Sequence, residues 1–118
     1  MDVSEDVLLV ETCRVLREFG ILFVHVANEG KRSYRQASFA KSRGLLKGCP
    51  DLLIFTRSEQ MRIQGIAGIA VELKTERGKV TREQEEILGK MGGNGWACHI
   101  IRNMPSFLSL LRTHSLIK

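Results

Sequence analysis

The apolar positions at the start of the chain predict a helix followed by a strand. Apolar residues recur at helical spacing over residues 3–19, which predicts the helix. Glu11 falls inside that stripe, between Val7 and Val15, where a carboxylate needs a partner. The next run, residues 21–26, is continuously apolar and rich in branched side chains, which predicts a strand buried on both faces.

Two further strands are predicted in the middle of the chain, over residues 51–55 and 69–74, with a polar hairpin connection at residues 57–64. Pro50 cannot continue a helix and therefore marks the start of the first of these strands. Side chains alternate along the second, so its apolar residues share one face. The opposite face contains Glu72, and we expect it to carry chemistry instead of core packing.

The last third of the chain predicts a helix, a strand and a short final helix. Thr81 to Gln84 match a capping box, so a helix is expected to begin there and to run to about Met91, where glycines follow. Residues 96–101 predict the fourth strand. Residues 105–111 predict the last helix.

The composition indicates one compact domain over residues 1–118, with 43% hydrophobic residues, which is enough for a core without disulfides. Three scattered cysteines argue against a disulfide framework and against a zinc knuckle, and they favour a reducing, cytoplasmic setting. No signal peptide or long apolar run is present, so no membrane partner is expected. His25 and His99 lie in predicted strands, where a packing role is usual.

The net charge of +5 matters mainly through its distribution. Residues 31–47 contain six basic and no acidic residues, which suits a phosphate backbone. A helix that Gly44 and Gly48 close off is one interpretation of this segment, and a solvated charged face is the alternative. Its candidate DNA-binding residues are Lys31, Arg32, Arg35, Lys41, Arg43 and Lys47.

A set of charged residues on two neighbouring strands carries the candidate chemistry. Asp51 begins one strand and Glu72 ends the next, so a hairpin brings the two carboxylates together. Hard cations such as Mg²⁺ prefer oxygen ligands and retain waters, so two carboxylates, the Leu73 carbonyl and a substrate phosphate form a sufficient site, which Glu11 can extend. Lys74 projects from the same face as Glu72 and can orient a water or stabilise transition-state charge.

This pattern resembles the PD-(D/E)xK nucleases and, within them, the virus-type replication and repair nuclease domain, VRR-NUC. The resemblance implies an α/β fold with a restriction-endonuclease-like αβββαβ core, in which helices flank a mixed central sheet. It covers nearly the whole chain and depends on Glu11, the 28–30 turn, Gly48-x-Pro50-Asp51, Glu72-x-Lys74, Gly78 and Gln84.

The resemblance also implies activity. It indicates a Mg²⁺- or Mn²⁺-dependent endonuclease that acts on DNA, often branched, such as four-way junctions or flaps, in replication, recombination or repair. It assigns catalytic or metal-binding roles to the matching residues. Stand-alone forms of this domain are viral or bacterial, so the resemblance implies that the protein acts in the cytoplasm of a bacterial cell, including one infected by a phage. Cutting both strands of a branched substrate favours a homodimer. The matching residues are Glu11, Asp51, Glu72, Lys74 and Gln84.

Alternative interpretations remain at this point. Gln84 has a purely structural role in the capping box, and Glu11 has an alternative role in a salt bridge. A DNA-binding module that kept the fold without catalysis would explain the basic segment equally well. An interaction module, in which Glu72 and Lys74 form a structural ion pair, is the third class.

Overall fold

The computed structural model describes residues 4–26, Ser38 and residues 41–118. These residues form four helices and four strands of an α/β domain. In chain order the elements are α1 (Glu5–Glu18), β1 (Phe23–His25), β2 (Leu52–Ile54), α2 (Glu59–Ile63), β3 (Gly68–Leu73), α3 (Arg82–Gly93), β4 (Trp96–Ile101) and α4 (Met104–Thr113). The sequence predicts all of them, in this order, except the short α2.

The strands form a mixed sheet in the order β1-β2-β3-β4. The first three are antiparallel, and β4 lies parallel to β3 because α3 provides the crossover connection between them. On one face, α1 and α4 contribute Leu8, Leu16 and Phe107 to the main core. On the other face, the Cys98 thiol donates to the Leu88 carbonyl of α3 at 3.4 Å. The predicted fold class is confirmed.

The buried face of α1 differs from the predicted stripe. Val7 and Phe19 are 49% and 55% exposed, whereas Thr12 is fully buried. The Thr12 hydroxyl donates to the Leu9 carbonyl at 2.9 Å, which satisfies this polar group within the helix and lets it lie in the core. Because Thr12 is counted as polar, the periodicity of the sequence places the buried stripe on the side of Val7 instead of the side of Thr12. The helix begins at Glu5, two residues after the predicted start, and Ser4 caps it, because the Ser4 hydroxyl accepts from the Val7 amide.

The prediction that the first strand is buried on both faces is wrong. Leu22 and Val24 are 66% and 42% exposed, and only Ile21 of this apolar run is buried. The physical reason is position, since β1 is the outer strand of the sheet formed by residues 4–26 and 41–118, and within these residues it pairs with β2 alone. An apolar run predicts a strand but does not specify where in the sheet it lies.

The predicted polar hairpin connection at residues 57–64 contains the short helix α2. Ser58 caps it, accepting from the Met61 amide at 3.1 Å and donating to the His114 carbonyl at 2.6 Å. Met61 is fully buried and belongs to the main core cluster, so this connection contributes to the core.

A tertiary contact near α2 joins His99 and His114, whose Nε2 atoms lie 2.9 Å apart. Burial lowers the pKa of both imidazoles.

Strand β3 is the most enclosed element of the sheet. All six of its residues are buried, including Ala70 on the face that the sequence predicts to be chemical. That face is therefore covered, and only its carboxyl end, at Glu72 and the following Lys74, carries charged groups. Charge is confined to the strand's end because burying it further along would leave it without partners or solvent.

Candidate active site

The register of the hairpin places Asp51 opposite Glu72. Leu52 pairs with Val71 in the antiparallel β2–β3 ladder, so the residues one step beyond each pair in the same way. Cross-strand neighbours have Cβ atoms about 5 Å apart. The carboxylate of Asp51 also binds the neighbouring strand, because its Oδ2 accepts from the Leu73 amide at 2.7 Å. The proximity expected of the two carboxylates is therefore present.

Glu72 is a buried carboxylate whose side chain is only partly satisfied. It is 2% exposed, and its Oε1 accepts from Gln84 Nε2 at 3.0 Å. Its Oε2 is buried and has no hydrogen-bond partner among the residues that the structure describes. Burial and the charge of Asp51 raise the pKa of Glu72 from 4.5 to about 8, although the charge of Lys74 opposes them. Such a carboxyl favours a proton or a cation beside it.

Lys74 supplies the positive charge of this cluster. Its backbone amide donates to the Ile101 carbonyl at 3.0 Å, which fixes the end of β3 against β4. The residue is only 9% exposed, and its ammonium lowers the pKa of Glu72. The structure therefore brings Asp51, Glu72 and Lys74 together at one end of the sheet.

Gln84 takes part in the helix cap and in the site at once. Its Oε1 accepts from the Thr81 amide at 2.9 Å, which completes the predicted capping box of α3. Its Nε2 then donates to Glu72. Capping fixes the side chain so that its remaining amide group is aimed at the carboxylate, and the two proposed roles do not exclude each other.

The turn before Asp51 packs directly on the first turn of α3. Gly48 has a φ of +87°, and a Cβ placed there would lie 2.8 Å from the backbone carbon and oxygen of Glu83. Only glycine fits this backbone conformation and this close approach. The contact holds β2 and α3 together, which brings Gln84 within reach of Glu72.

Cys49 lies beside the carboxylates within the same turn. Burial raises the pKa of its thiol, and the charges of Glu72 and Asp51 raise it further. The thiol is therefore kept in its neutral form next to the site, which makes it a poor nucleophile.

An acidic residue of α1 that influences the site electrostatically is Glu5, which is exposed at the start of the helix. Its charge raises the pKa of Glu72, whereas Glu11 is not among the groups that do so. At about 100° per residue, Glu5 lies within about 20° of the buried Thr12 and Leu16 on the helix, and Glu11 lies about 120° away from it. Glu11 is half-buried and makes no ion pair with any described residue, so the alternative of a salt bridge has no support among them, and its metal role stays a prediction.

Half of the predicted DNA-binding residues can be located. Lys31, Arg32 and Arg35 lie outside the described residues, as does the 28–30 turn. Lys41 and Arg43 are exposed, and Lys47 is exposed with its Nζ 3.7 Å from a carboxylate oxygen of Glu83. An exposed pair of this kind is weak, so it leaves Lys47 available to a phosphate.

The fold and this site define a protein with a nuclease-type fold, in which the antiparallel hairpin carries Asp51 opposite Glu72-x-Lys74. The sequence model of the VRR-NUC domain matches residues 8–104, and the chain belongs to the VRR-NUC domain family.

Among solved structures, a chain named "VRR_NUC domain protein" has the same fold. It is 18% identical, with a TM-score of 0.70 over 95% of this chain and 88% of that one. No curated protein matches the sequence. None of the helices in the described residues is both long and apolar enough to cross a membrane.

Proposed function

We propose that the protein is a metal-dependent endodeoxyribonuclease that hydrolyses phosphodiester bonds in DNA. The observation that carries this proposal is the buried Glu72 carboxyl, whose Oε2 has no partner in the described chain and which faces a second carboxylate. Two apposed carboxylates in a buried site repel each other. A divalent cation between them would relieve that repulsion. Without a cation, the repulsion would only destabilise the fold.

The residues present fit a hard divalent cation of the Mg²⁺ or Mn²⁺ type. Within residues 4–26 and 41–118, no three histidine, cysteine or acidic side chains surround a common metal position. Mg²⁺ is often held by only one or two carboxylates, with waters and substrate phosphate completing its shell. Asp51, Glu72 and the Leu73 carbonyl would hold it. When bound, such a cation lowers the pKa of a bound water and offsets charge on phosphoryl oxygens.

The protein's own residues then have distinct roles. Lys74 places a positive charge beside the carboxylates, where it can stabilise the extra negative charge of the transition state. Gln84 orients the Glu72 carboxylate through its 3.0 Å hydrogen bond, and the Asp51 carboxylate is oriented by the Leu73 amide. Fixed orientation lowers the cost of reorganising these groups during the reaction.

The proposed substrate is branched DNA, such as a four-way junction or a flap, in replication, recombination or repair. A net charge of +5 and the exposed cations Lys41, Arg43 and Lys47 favour a phosphate backbone as partner. A homodimer would present two sites to two strands of such a substrate. Both the branched specificity and the dimer are expectations from family likeness.

Cleavage of labelled four-way junction, flap and linear duplex DNA in Mg²⁺, Mn²⁺ and EDTA tests this proposal. We expect metal-dependent cutting that Lys74→Ala reduces by at least about 100-fold, since a transition-state charge is lost. Lys90→Ala is the matched control, because Lys90 is an exposed lysine near the far end of α3. Sedimentation at micromolar concentration tests the dimer.

Each outcome has a definite meaning. Cutting that both lysine variants retain would contradict the role of Lys74. DNA binding without cutting of any substrate by the wild type, in either metal, would favour the non-catalytic DNA-binding module instead. A monomer in sedimentation would remove the dimer without affecting the nuclease.

A further inference from the structure

The loop that follows β3 is basic and unusually well held. Residues 74–82 contain four basic residues and one acidic residue, Glu76. The Glu76 carboxylate accepts from the side-chain amide of Asn103 at 3.3 Å, which draws it toward the start of α4. Arg77 and Lys79 are exposed, and neither forms an ion pair within the described part of the chain. The outer side of the loop is therefore positive.

Arg102 fixes this loop through hydrogen bonds to its backbone carbonyls. Its Nη1 donates to the Thr75 carbonyl at 2.7 Å and to the Gly78 carbonyl at 2.6 Å, with a longer contact of 3.3 Å to the Glu76 carbonyl. The turn is closed by the Gly78 amide, which donates to the Thr75 carbonyl at 3.2 Å. A charged donor that satisfies several carbonyls at once makes strong, short hydrogen bonds. The backbone on both sides of Arg77 is thus fixed.

The loop lies directly after the candidate active-site residue Lys74 in the chain. It begins at Thr75, so its cations follow the active-site lysine along the chain without a break. A cation whose backbone is already fixed loses less conformational freedom when it binds a phosphate than one on a loose loop. Neighbouring phosphates of the bound strand are the anions within reach of such a surface.

We propose that the Thr75–Val80 loop is a second DNA-contact surface, in which Arg77 and Lys79 bind the phosphate backbone beside the cleaved bond and Arg102 is the positioning residue that holds them there. The proposal rests on the proposed nuclease function for the identity of the partner. It adds contacts that the basic segment at residues 31–47 does not include.

A double-mutant cycle tests it. Binding of labelled duplex DNA is measured by fluorescence anisotropy in EDTA for the wild type, Arg77→Ala, Arg102→Ala and the double variant. Arg77→Ala is expected to weaken binding about 3–5-fold in the wild-type background but less than about 1.5-fold when Arg102 is already absent. An equal loss in both backgrounds would overturn the positioning role, and no loss in the wild type would overturn the surface.

Two further variants keep the result interpretable. Arg57→Ala is the matched control, because Arg57 donates one hydrogen bond, to the Ile66 carbonyl at 3.3 Å, and follows the end of β2 opposite Asp51. Its loss is expected not to couple to Arg77→Ala. If Arg102→Ala fails to fold, Arg102→Lys replaces it in the cycle, since the shorter ammonium keeps the charge but not the reach.

A readout independent of DNA completes the test. Amide hydrogen exchange at Gly78 is expected to rise at least about 10-fold in Arg102→Ala, relative to core amides of β3, because the turn loses its hydrogen bonds. Unchanged exchange would contradict the proposal. Coupled DNA binding without cleavage in any metal would remove the nuclease function and leave this surface in place, whereas no DNA binding by the wild type would remove both.

Discussion

Replacing Glu72 by glutamine should stabilise the metal-free protein at alkaline pH. The side chain is 2% exposed and lies beside Asp51, so its charged form is disfavoured in the folded state. Glutamine has nearly the same shape, keeps an oxygen that can accept from Gln84, and cannot become charged. The variant therefore removes the electrostatic penalty and leaves the packing in place.

The magnitude follows from the pKa of Glu72, which the fold raises from 4.5 to about 8. An acid with a raised pKa in the folded state contributes stability that is fully present below pH 4.5 and is lost as the pH rises through about 8. A difference of one in pKa corresponds to about 1.4 kcal/mol, so the full loss is roughly 5 kcal/mol. Part of this belongs to the pair formed with Asp51, because the two carboxyl groups titrate together. Even half of it is large beside a typical stability of about 5–15 kcal/mol.

Urea denaturation followed by circular dichroism, in EDTA between pH 5 and pH 9, measures the effect. The advantage of Glu72→Gln over the wild type should grow by several kcal/mol across this range, whereas Glu85→Gln, at an exposed position of α3, should show no such trend. Adding Mg²⁺ at about 100 times its dissociation constant should then stabilise the wild type by about 2.7 kcal/mol and the Glu72→Gln variant much less. A pH-independent difference, together with equal Mg²⁺ stabilisation of both proteins, would refute the reasoning.

Two other substitutions test how the site is built. Gly48→Ala should lower the free energy of unfolding by roughly 2–4 kcal/mol, because the Cβ of the new alanine would lie 2.8 Å from the Glu83 backbone. Gly44 has a similar positive φ but open space around it, so Gly44→Ala should lower the free energy of unfolding by only about 1 kcal/mol. Thermal unfolding compares the two, and equal losses would contradict the contact. Glu5→Gln should lower the pKa of Glu72, measured by NMR titration of its side-chain carboxyl, because a nearby negative charge is removed. Glu11→Gln is the control for this titration, and equal changes in both variants would contradict the assignment of Glu5.

The parts of the structure that local patterns determine could be predicted from the sequence. The capping box of α3 and the bounds of β4 follow from a few neighbouring residues, and both are as predicted. The pairing of Asp51 with Glu72 also follows, because alternation along two strands joined in a hairpin leaves few registers that bury the apolar faces.

Features that depend on contacts distant in sequence could not be predicted in this way. The exposure of β1 depends on its place at the edge of the sheet, and the burial of Met61 depends on where α2 meets the core. The hydrogen bonds of Arg102 to the loop after β3 join residues 24 to 27 apart, and an arginine at a strand end has no local signature for such a role.

The position of Glu5 shows how the helical phase of α1 determines which acidic residue lies nearest to the line of its buried side. Counting Thr12 as polar moves the predicted apolar stripe of α1 toward Val7, and Glu11 then falls at its centre. Once the Thr12 hydroxyl is satisfied by the Leu9 carbonyl, the buried line runs through Thr12 and Leu16, and its continuation toward the start of the helix reaches Glu5. Glu5 is exposed at the start of the helix, and its charge raises the pKa of Glu72. The burial of Thr12 therefore places Glu5, rather than Glu11, on the line that continues the buried side of α1.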